Sequence, residues 1–185
     1  MEGPKGAEAS TETARLRTYQ GWRQFVVQRH RASRLHYDLR FEVDGVLVSW
    51  AVPKGPTLDP DVRRLAIHVE DHALDYLDFE GVLPGNGYGA GDVIVWDIGR
   101  WEPYKSDDPA GELADGELHA RVYGEKLRGK MVLMRTGLRQ GKEWWLLLHK
   151  RDEFAECGWD AEKHRRSVLT GRTNEEVAKQ GEVSD

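Results

Sequence analysis

A mainly β fold, a compact closed or nearly closed barrel with short flanking helices, is what this sequence predicts, and three observations predict it. Leu35, Tyr37, Leu39, Phe41 and Val43 alternate with His36, Asp38, Arg40 and Glu42, a period of two that marks a strand with one apolar and one polar face. Asp44-Gly45 follows, the strongest short hairpin signal, and the return strand Val46–Val52 ends at Pro53. Further short strands are expected at Arg64–Val69, Asp92–Trp96, Leu118–Val122, Lys130–Arg135 and Glu143–Lys150, separated by turns rich in Gly, Pro and Asp. Many short strands in one small domain favour a barrel or sandwich, and closure removes the open edges that invite aggregation.

The elements then follow in chain order. Residues 1–20 read as a flexible polar arm, residues 21–156 as the barrel, and residues 157–185 as a C-terminal extension. Within that extension Thr173–Lys179 opens on an N-cap residue and reads as a short helix. A two-residue turn at Asp44-Gly45 sets Arg40 opposite Ser49 and Asp38 opposite Ala51. Those small partners leave room for a ligand above the polar face. In Trp144-Trp145 one ring falls on each face of a strand, so at least one belongs to the core.

Bulk properties narrow the class. A chain of 185 residues, 39% of them hydrophobic, buries one core. No apolar run of about 18 residues occurs, so no membrane partner is expected. The first twenty residues lack the apolar centre of a secretory signal, and the single Cys157 has no partner for a disulfide within the chain, which together point to the cytoplasm; a monomer is the default expectation. Lys and Arg number 27 against 32 Asp and Glu, a net charge of −5 that argues against extended duplex binding. It still permits an enzyme that grips one strand end through a local patch, and Arg23, Arg29, Arg31, Arg34 and Arg40 crowd one stretch.

The residues with most chemical content are His30, His36, Asp38 and Arg40. Residues two apart on a strand point the same way, so His36, Asp38 and Arg40 form a row. His30, from the preceding strand or loop, folds back to add a third ligand. Two imidazoles and a carboxylate leave coordination positions open on a divalent metal. An arginine one step along grips two oxygens of a phosphate. A His-x-Asp pair by itself is more often plain surface polarity; His30 and Arg40 bring the two readings level.

A second cluster, Glu70–Tyr76, contains His72, suited to donating to a phosphate or protonating a leaving group, and Tyr76. The plainer reading has Asp71 and Asp75 capping turns and His72 bonded to a carboxylate. Lys54 in a rigid Pro-Lys-Gly-Pro turn and Arg64 are candidate contacts to backbone phosphate, as is Ser49. Glycines 85, 87, 89 and 91 around Tyr88 make a tight bend rather than a P-loop. His119, His149 and His164 read as structural.

The run Phe25–Arg40, together with Ser49–Pro56, Val69–Tyr76 and Tyr88–Gly91, closely resembles the 3′-phosphoesterase domain of bacterial DNA ligase D, over about residues 24–153. The resemblance implies a compact β-barrel with a manganese-dependent site on one side. That site removes a 3′-phosphate or a terminal ribonucleoside from a primer strand and leaves a 3′-hydroxyl. Matched position by position, His30, His36 and Asp38 are implied as metal ligands, and Arg40 and His72 as the groups on the scissile phosphate. Tyr76 is implied as their partner, with Lys54 and Arg64 as accessory basic positions. Leu16–Trp22 departs from the Arg-Asp-Phe segment of many relatives, a segment that bears on the ribonucleoside, so the resemblance implies the phosphatase step more directly. The loop before Tyr88 also differs.

The expected function is therefore a manganese-dependent DNA 3′-end phosphoesterase acting on primer–template ends, DNA or RNA-tipped, in repair and end joining. A separate DNA ligase or end-binding protein is the partner that pathway analogy adds. The alternative is a DNA-end-binding module with weak or no catalysis. A non-haem iron oxygenase ranks third, because its facial triad takes a second histidine from far downstream.

Overall fold

The alternation at residues 35–43 becomes a strand, and the same logic builds the rest of the sheet. The computed structural model describes residues 22–87 and 89–182. Its strands are β1 (Arg23–Arg31), β2 (Leu35–Val43), β3 (Val46–Val52), β4 (Arg64–Ala73), β5 (Gly81–Leu83), β6 (Gly91–Pro103), β7 (Glu117–Tyr123), β8 (Arg128–Arg139) and β9 (Lys142–His149). Two short helices, α1 (Pro109–Ala114) and α2 (Asn174–Glu182), and 3-10 turns at Leu74–Tyr76 and Ala161–Lys163 flank them. The expected arm at residues 1–20 and the side chain of Tyr88 lie outside the described residues.

Every pairing is antiparallel. The order runs β1-β2-β3-β4-β9-β8-β7-β6, and β6 returns to pair with β1, which closes an eight-strand ring; β5 hangs on the outside of β6. The chain thus forms the closed barrel that its patterning predicts. Asp44 and Gly45 both adopt positive φ, 49° and 84°, the primed turn that suits the twist of two flanking strands. With that turn fixed, Arg40 pairs with Ser49 and Asp38 with Ala51, the predicted register.

The barrel interior holds Phe25, Val27, Tyr37, Leu39, Trp50, Val52, Trp96, Trp145 and their neighbours. Each fully buried tryptophan removes about 150–250 Å² from water, a gross stabilisation of about 4–6 kcal/mol before entropy is counted. Trp145 is the core member of the Trp144-Trp145 pair, and Trp144 is half-buried on the outer face. A second, smaller cluster of Val26, Leu47, Leu77 and Val95 forms outside the barrel, beneath the segment that follows β4. That segment roofs part of the outer face of β1–β3 and makes a recess there.

Three strands run longer than their sequence signals. β4 continues through Glu70 and Asp71 to Ala73, since charged residues on its exposed edge stay in water. β6 passes Gly99, which reads as a turn residue but is dictated by crowding: a Cβ there would stand 2.1 Å from the Tyr123 carbonyl oxygen. β8 extends to Arg139 because Gln140 and Gly141, with φ of 53° and 76°, make a second primed turn to β9.

The described part of the 157–185 extension packs against the barrel. Trp96 Nε1 donates to the His164 carbonyl at 2.6 Å, and Val168 N donates to the Val95 carbonyl at 3.0 Å. The helix of this segment begins as expected, with Thr173 Oγ1 accepting from Glu176 N at 3.3 Å. His119 bonds Glu112, His149 sits between two backbone carbonyls, and His164 stacks on Trp159, structural roles in each case.

Candidate metal centre and anion pocket

Because Tyr37 and Leu39 face the barrel interior, His36, Asp38 and Arg40 must face out, into the recess. β1 runs antiparallel beside them with His30 opposite His36 and Gln28 opposite Asp38. His30 is therefore a strand residue. Gly91 holds this corner together: a Cβ on it would stand 1.9 Å from the Arg31 carbonyl oxygen, and its φ of 117° suits only glycine.

His30 Nδ1, His36 Nε2 and Asp38 Oδ2 converge, with all three ligand atoms within 4.8 Å of one another. His30 Nδ1 lies 3.6 Å and His36 Nε2 3.2 Å from Asp38 Oδ2. The opposite ring nitrogens face backbone carbonyls: His30 Nε2 stands 3.1 Å from Ala90 O, and His36 Nδ1 stands 3.1 Å from Arg34 O. Donation to those carbonyls puts each proton on the far nitrogen and aims both lone pairs at the carboxylate. Three electron-rich atoms facing one another need a positive charge between them, a proton or a cation. Two nitrogens and one oxygen suit a divalent transition metal with open positions.

The electrostatics agree with that demand. Burial works against ionisation of Asp38, but once a proton sits on the near nitrogens His30 and His36 donate to it, and with the Arg40 guanidinium they hold its carboxyl well below the usual carboxylate range. Burial likewise opposes a charge on His36, yet Asp38 and the Arg34 carbonyl push it upward overall.

Arg40 is only 4% exposed and is held on several sides. Its Nε donates to Gln28 Oε1 at 2.8 Å, and its Nη1 donates to Ser49 Oγ at 2.9 Å. Nη2 lies 3.6 Å from Asp38 Oδ2, and the Tyr76 ring lies 5.0 Å beneath the guanidinium. Nη1 also reaches His72 Nδ1 at 3.1 Å. Accepting from the guanidinium puts the His72 proton on Nε2, whereas donating to the Glu70 carbonyl, also 3.1 Å from Nδ1, takes the proton to Nδ1. Burial, then the nearby guanidinium, push the His72 imidazole down, toward its neutral form. Tyr76 packs against His72 with ring centroids 4.9 Å apart.

These groups line a cavity of about 280 Å³, together with Ala51, Val69, Glu70, Leu83 and Gly89. The structure thus brings together His30, His36, Asp38, Arg40, His72 and Tyr76. Ser49 lies underneath, fully buried, accepting from Arg40 and donating to the Leu47 carbonyl, so it positions the arginine. Lys54 is exposed in its turn and Arg64 donates to the Gly55 carbonyl; neither lines this cavity. Among the described residues, His72 meets Arg40 and the Glu70 carbonyl, and no carboxylate within ion-pair distance.

Sequence reasoning passed over Gln28. Its side chain is fully buried, with Oε1 accepting from Arg40 while Nε2 donates to the Tyr76 and Phe79 carbonyls at 2.9 and 3.2 Å. One amide therefore ties the arginine to the turn that carries Tyr76. Its signal was parity, since Gln28 shares a strand face with His30. Two arginines of residues 23–40 are drawn out of the expected basic stretch, while Arg34 stays exposed. Arg29 is buried against Glu162 and Asn174, and Arg31 pairs with Asp92 and Glu175.

The same arrangement has relatives. Residues 28–135 match the model of the DNA ligase D 3′-phosphoesterase domain, more than half of the chain. Over 156 residues the chain is 54% identical to the multifunctional non-homologous end joining protein LigD of Pseudomonas aeruginosa, covering 83% of this chain and 18% of that protein. It is 46% identical over 127 residues to LigD of Mycolicibacterium smegmatis, covering 65% of this chain and 16% of the relative. With LigD of Mycobacterium tuberculosis it shares 48% over 121 residues, 65% of this chain and 15% of the relative. The chain thus spans less than a fifth of the length of these relatives, and the matched region contains every residue of the cavity. This chain belongs to the family of DNA ligase D 3′-phosphoesterase domains.

Proposed function

We propose that this chain is a metal-dependent DNA 3′-end phosphoesterase that clears primer–template ends during end joining, removing a 3′-phosphate and a terminal 3′-ribonucleoside. Manganese is the proposed metal, held by His30, His36 and Asp38. The observation that carries the reading is the convergence of their three ligand atoms beside a buried guanidinium. Family membership and the end-joining relatives supply the substrate class.

A bound divalent ion would supply Lewis acidity to a phosphoryl oxygen and a nucleophile formed from water. The protein's own groups do the rest. Arg40, fixed by Gln28 and Ser49, offers preorganised charge to the equatorial phosphate oxygens as negative charge builds there. His72 can donate an Nε2–H hydrogen bond to a phosphate oxygen. To protonate the departing oxygen it must first be the imidazolium, whose Nδ1–H faces the Glu70 carbonyl, and the anion it meets favours that form against burial. Tyr76 packs both groups in place.

The test is a 5′-labelled primer–template ending in a 3′-phosphate or a single 3′-ribonucleotide, incubated with manganese beside a His36→Ala control. Conversion of both ends to 3′-hydroxyl products, absent in the control, supports the full reading. Conversion of the phosphate end alone removes the ribonucleoside activity from it. Binding without product in either case selects the end-binding module instead.

A further inference from the structure

The net charge of −5 leaves open where a nucleic acid strand lies once its 3′ end sits in the cavity, and beside the site Arg29 and Arg31 are already paired while Arg34 is exposed. The register answers. Asp38 pairs with Ala51, Ala51 with Ile67, and Ile67 with Trp144, a single row across β2, β3, β4 and β9. Cross-strand partners share a face, so Trp144, like Asp38, points outward, three strands of eight around the closed ring and about 14 Å away measured along its curved surface.

What surrounds Trp144 has the chemistry of a nucleic acid contact. The Arg139 guanidinium lies over its ring, 4.5 Å from the centroid, and Arg139 itself is exposed. The residue opposite Trp144 is Gly137, where a Cβ would meet nothing within 4 Å, so the space beside the ring is open. Farther along the outer face of β9, Leu148 opens into a separate cavity of about 480 Å³. Arg63, Lys130, Lys150 and Arg151 line it, with Asp152 as its one acid. Arg151 is tied to Asp61 and Lys130 lies over Tyr104, whereas Arg63 and Lys150 are exposed and make no ion pair among the described residues. Strand geometry puts this cavity about 20 Å from Asp38.

We propose that the outer face of β9 is the track for the nucleic acid strand leading away from the 3′ end. Arg139 and Trp144 take a phosphate and the adjoining sugar or base, and the Arg63–Lys150 cavity takes a phosphate farther on. At about 3.4 Å of rise per nucleotide these positions fall about four and about six nucleotides from the reacting end. An arginine stacked on a tryptophan offers charge and a flat apolar surface at once, which suits a strand held without sequence preference. The proposal rests on the phosphoesterase reading for which end of the strand is held.

The decisive measurement is fluorescence anisotropy of the full chain with a labelled primer–template of about ten base pairs, across a salt series, for the parent, Arg139→Glu, Trp144→Ala and Arg63→Glu/Lys150→Glu. Arg139, Arg63 and Lys150 are exposed, so their charge reversals leave the fold intact, and circular dichroism checks the tryptophan variant. Expected are a roughly tenfold or greater rise in Kd for each and a salt slope lower by about one for each phosphate that is no longer neutralised. A trinucleotide with a 3′-phosphate, too short to reach the track, should be turned over equally by all four proteins. If the charge reversals bind the duplex as the parent does, with an unchanged salt slope, the proposal is overturned. If the phosphoesterase reading were wrong instead, the parent would yield no product on any end, while the binding comparison would still decide the track.

Discussion

At the scale of single residues, the site works through protons placed by backbone carbonyls. Because Ala90 O and Arg34 O fix the far nitrogens of His30 and His36, loss of either imidazole removes an oriented ligand. Losing an outer partner of a ligand typically costs about 10–100-fold in metal affinity, so His36→Ala should cost at least about 100-fold, read by titration calorimetry with manganese. Gln28→Leu should keep the metal but loosen Arg40 and strand two carbonyls, lowering kcat by about 10–100-fold at a stability cost of about 1–3 kcal/mol. An unchanged kcat with lost stability would reduce Gln28 to a structural role. The candidate ligands were legible in the sequence because strand parity puts His36, Asp38 and Arg40 in one row. Gln28 was not, since an amide in a strand has no signature until register places it behind an arginine. Lys54 and Arg64 were singled out by residue type, and only the direction of each side chain shows that neither enters the cavity.

At the scale of elements, β6 carries the largest local stake. Its Asp97 carboxylate is fully buried and accepts from the backbone N–H groups of Ile98, Glu125, Lys126 and Leu127, so it shapes the β7–β8 loop. Asp97→Asn turns an acceptor into a donor facing those N–H groups and should cost about 2–4 kcal/mol. Burial pushes this carboxyl up to about 6, although the N–H donors pull the other way. A folded value above the ordinary 3.8 means that the native state holds the proton more tightly. Its contribution to stability is complete below pH 3.8 and declines as pH rises through about 6. The gap between wild type and Asp97→Asn should therefore narrow between about pH 4 and 7 and stay level above, as denaturant melts at several pH values would show. The sequence foretold the start of β6, from Asp92 to Trp96, but not its continuation. An Asp and a Gly at residues 97 and 99 read as a turn when their burial and backbone contacts are not known. Hairpins with a primed turn at Asp-Gly were legible, whereas Gln140-Gly141 was not, because glutamine rarely announces a positive φ.

At the scale of the whole molecule, the boundary drawn at residue 156 separates parts that the fold joins. The edge of β6 facing away from β1, from residue 94 to residue 99, finds no strand partner among the described residues, and the C-terminal segment supplies a bond at Val95 through Val168 N. The same segment neutralises β1. Arg29 is 3% exposed, with Nη2 on Glu162 and Nη1 on Asn174, and Asn174 Nδ2 returns a bond to the Arg29 carbonyl. His30, the first candidate ligand, is the next residue, so the latch and the proposed metal site share one strand. Sequence periodicity had no access to this, because residues 157–172 carry only a single 3-10 turn and their role lies in contacts about 130 residues away in the chain. A chain ending at residue 156 should accordingly lose more than an appendage. Stranding a buried guanidinium alone costs about 3–5 kcal/mol, and each kcal/mol lowers the midpoint of a domain this size by about 2–4 °C. The shortened chain should melt at least about 10 °C below the full one, with weakened manganese binding because β1 frays at His30. Adding Arg29→Met to the shortened chain should restore several degrees by removing the stranded charge while keeping the bulk. Recovery of the midpoint with that substitution would place the cost on Arg29, and no recovery would place it on the exposed β6 edge.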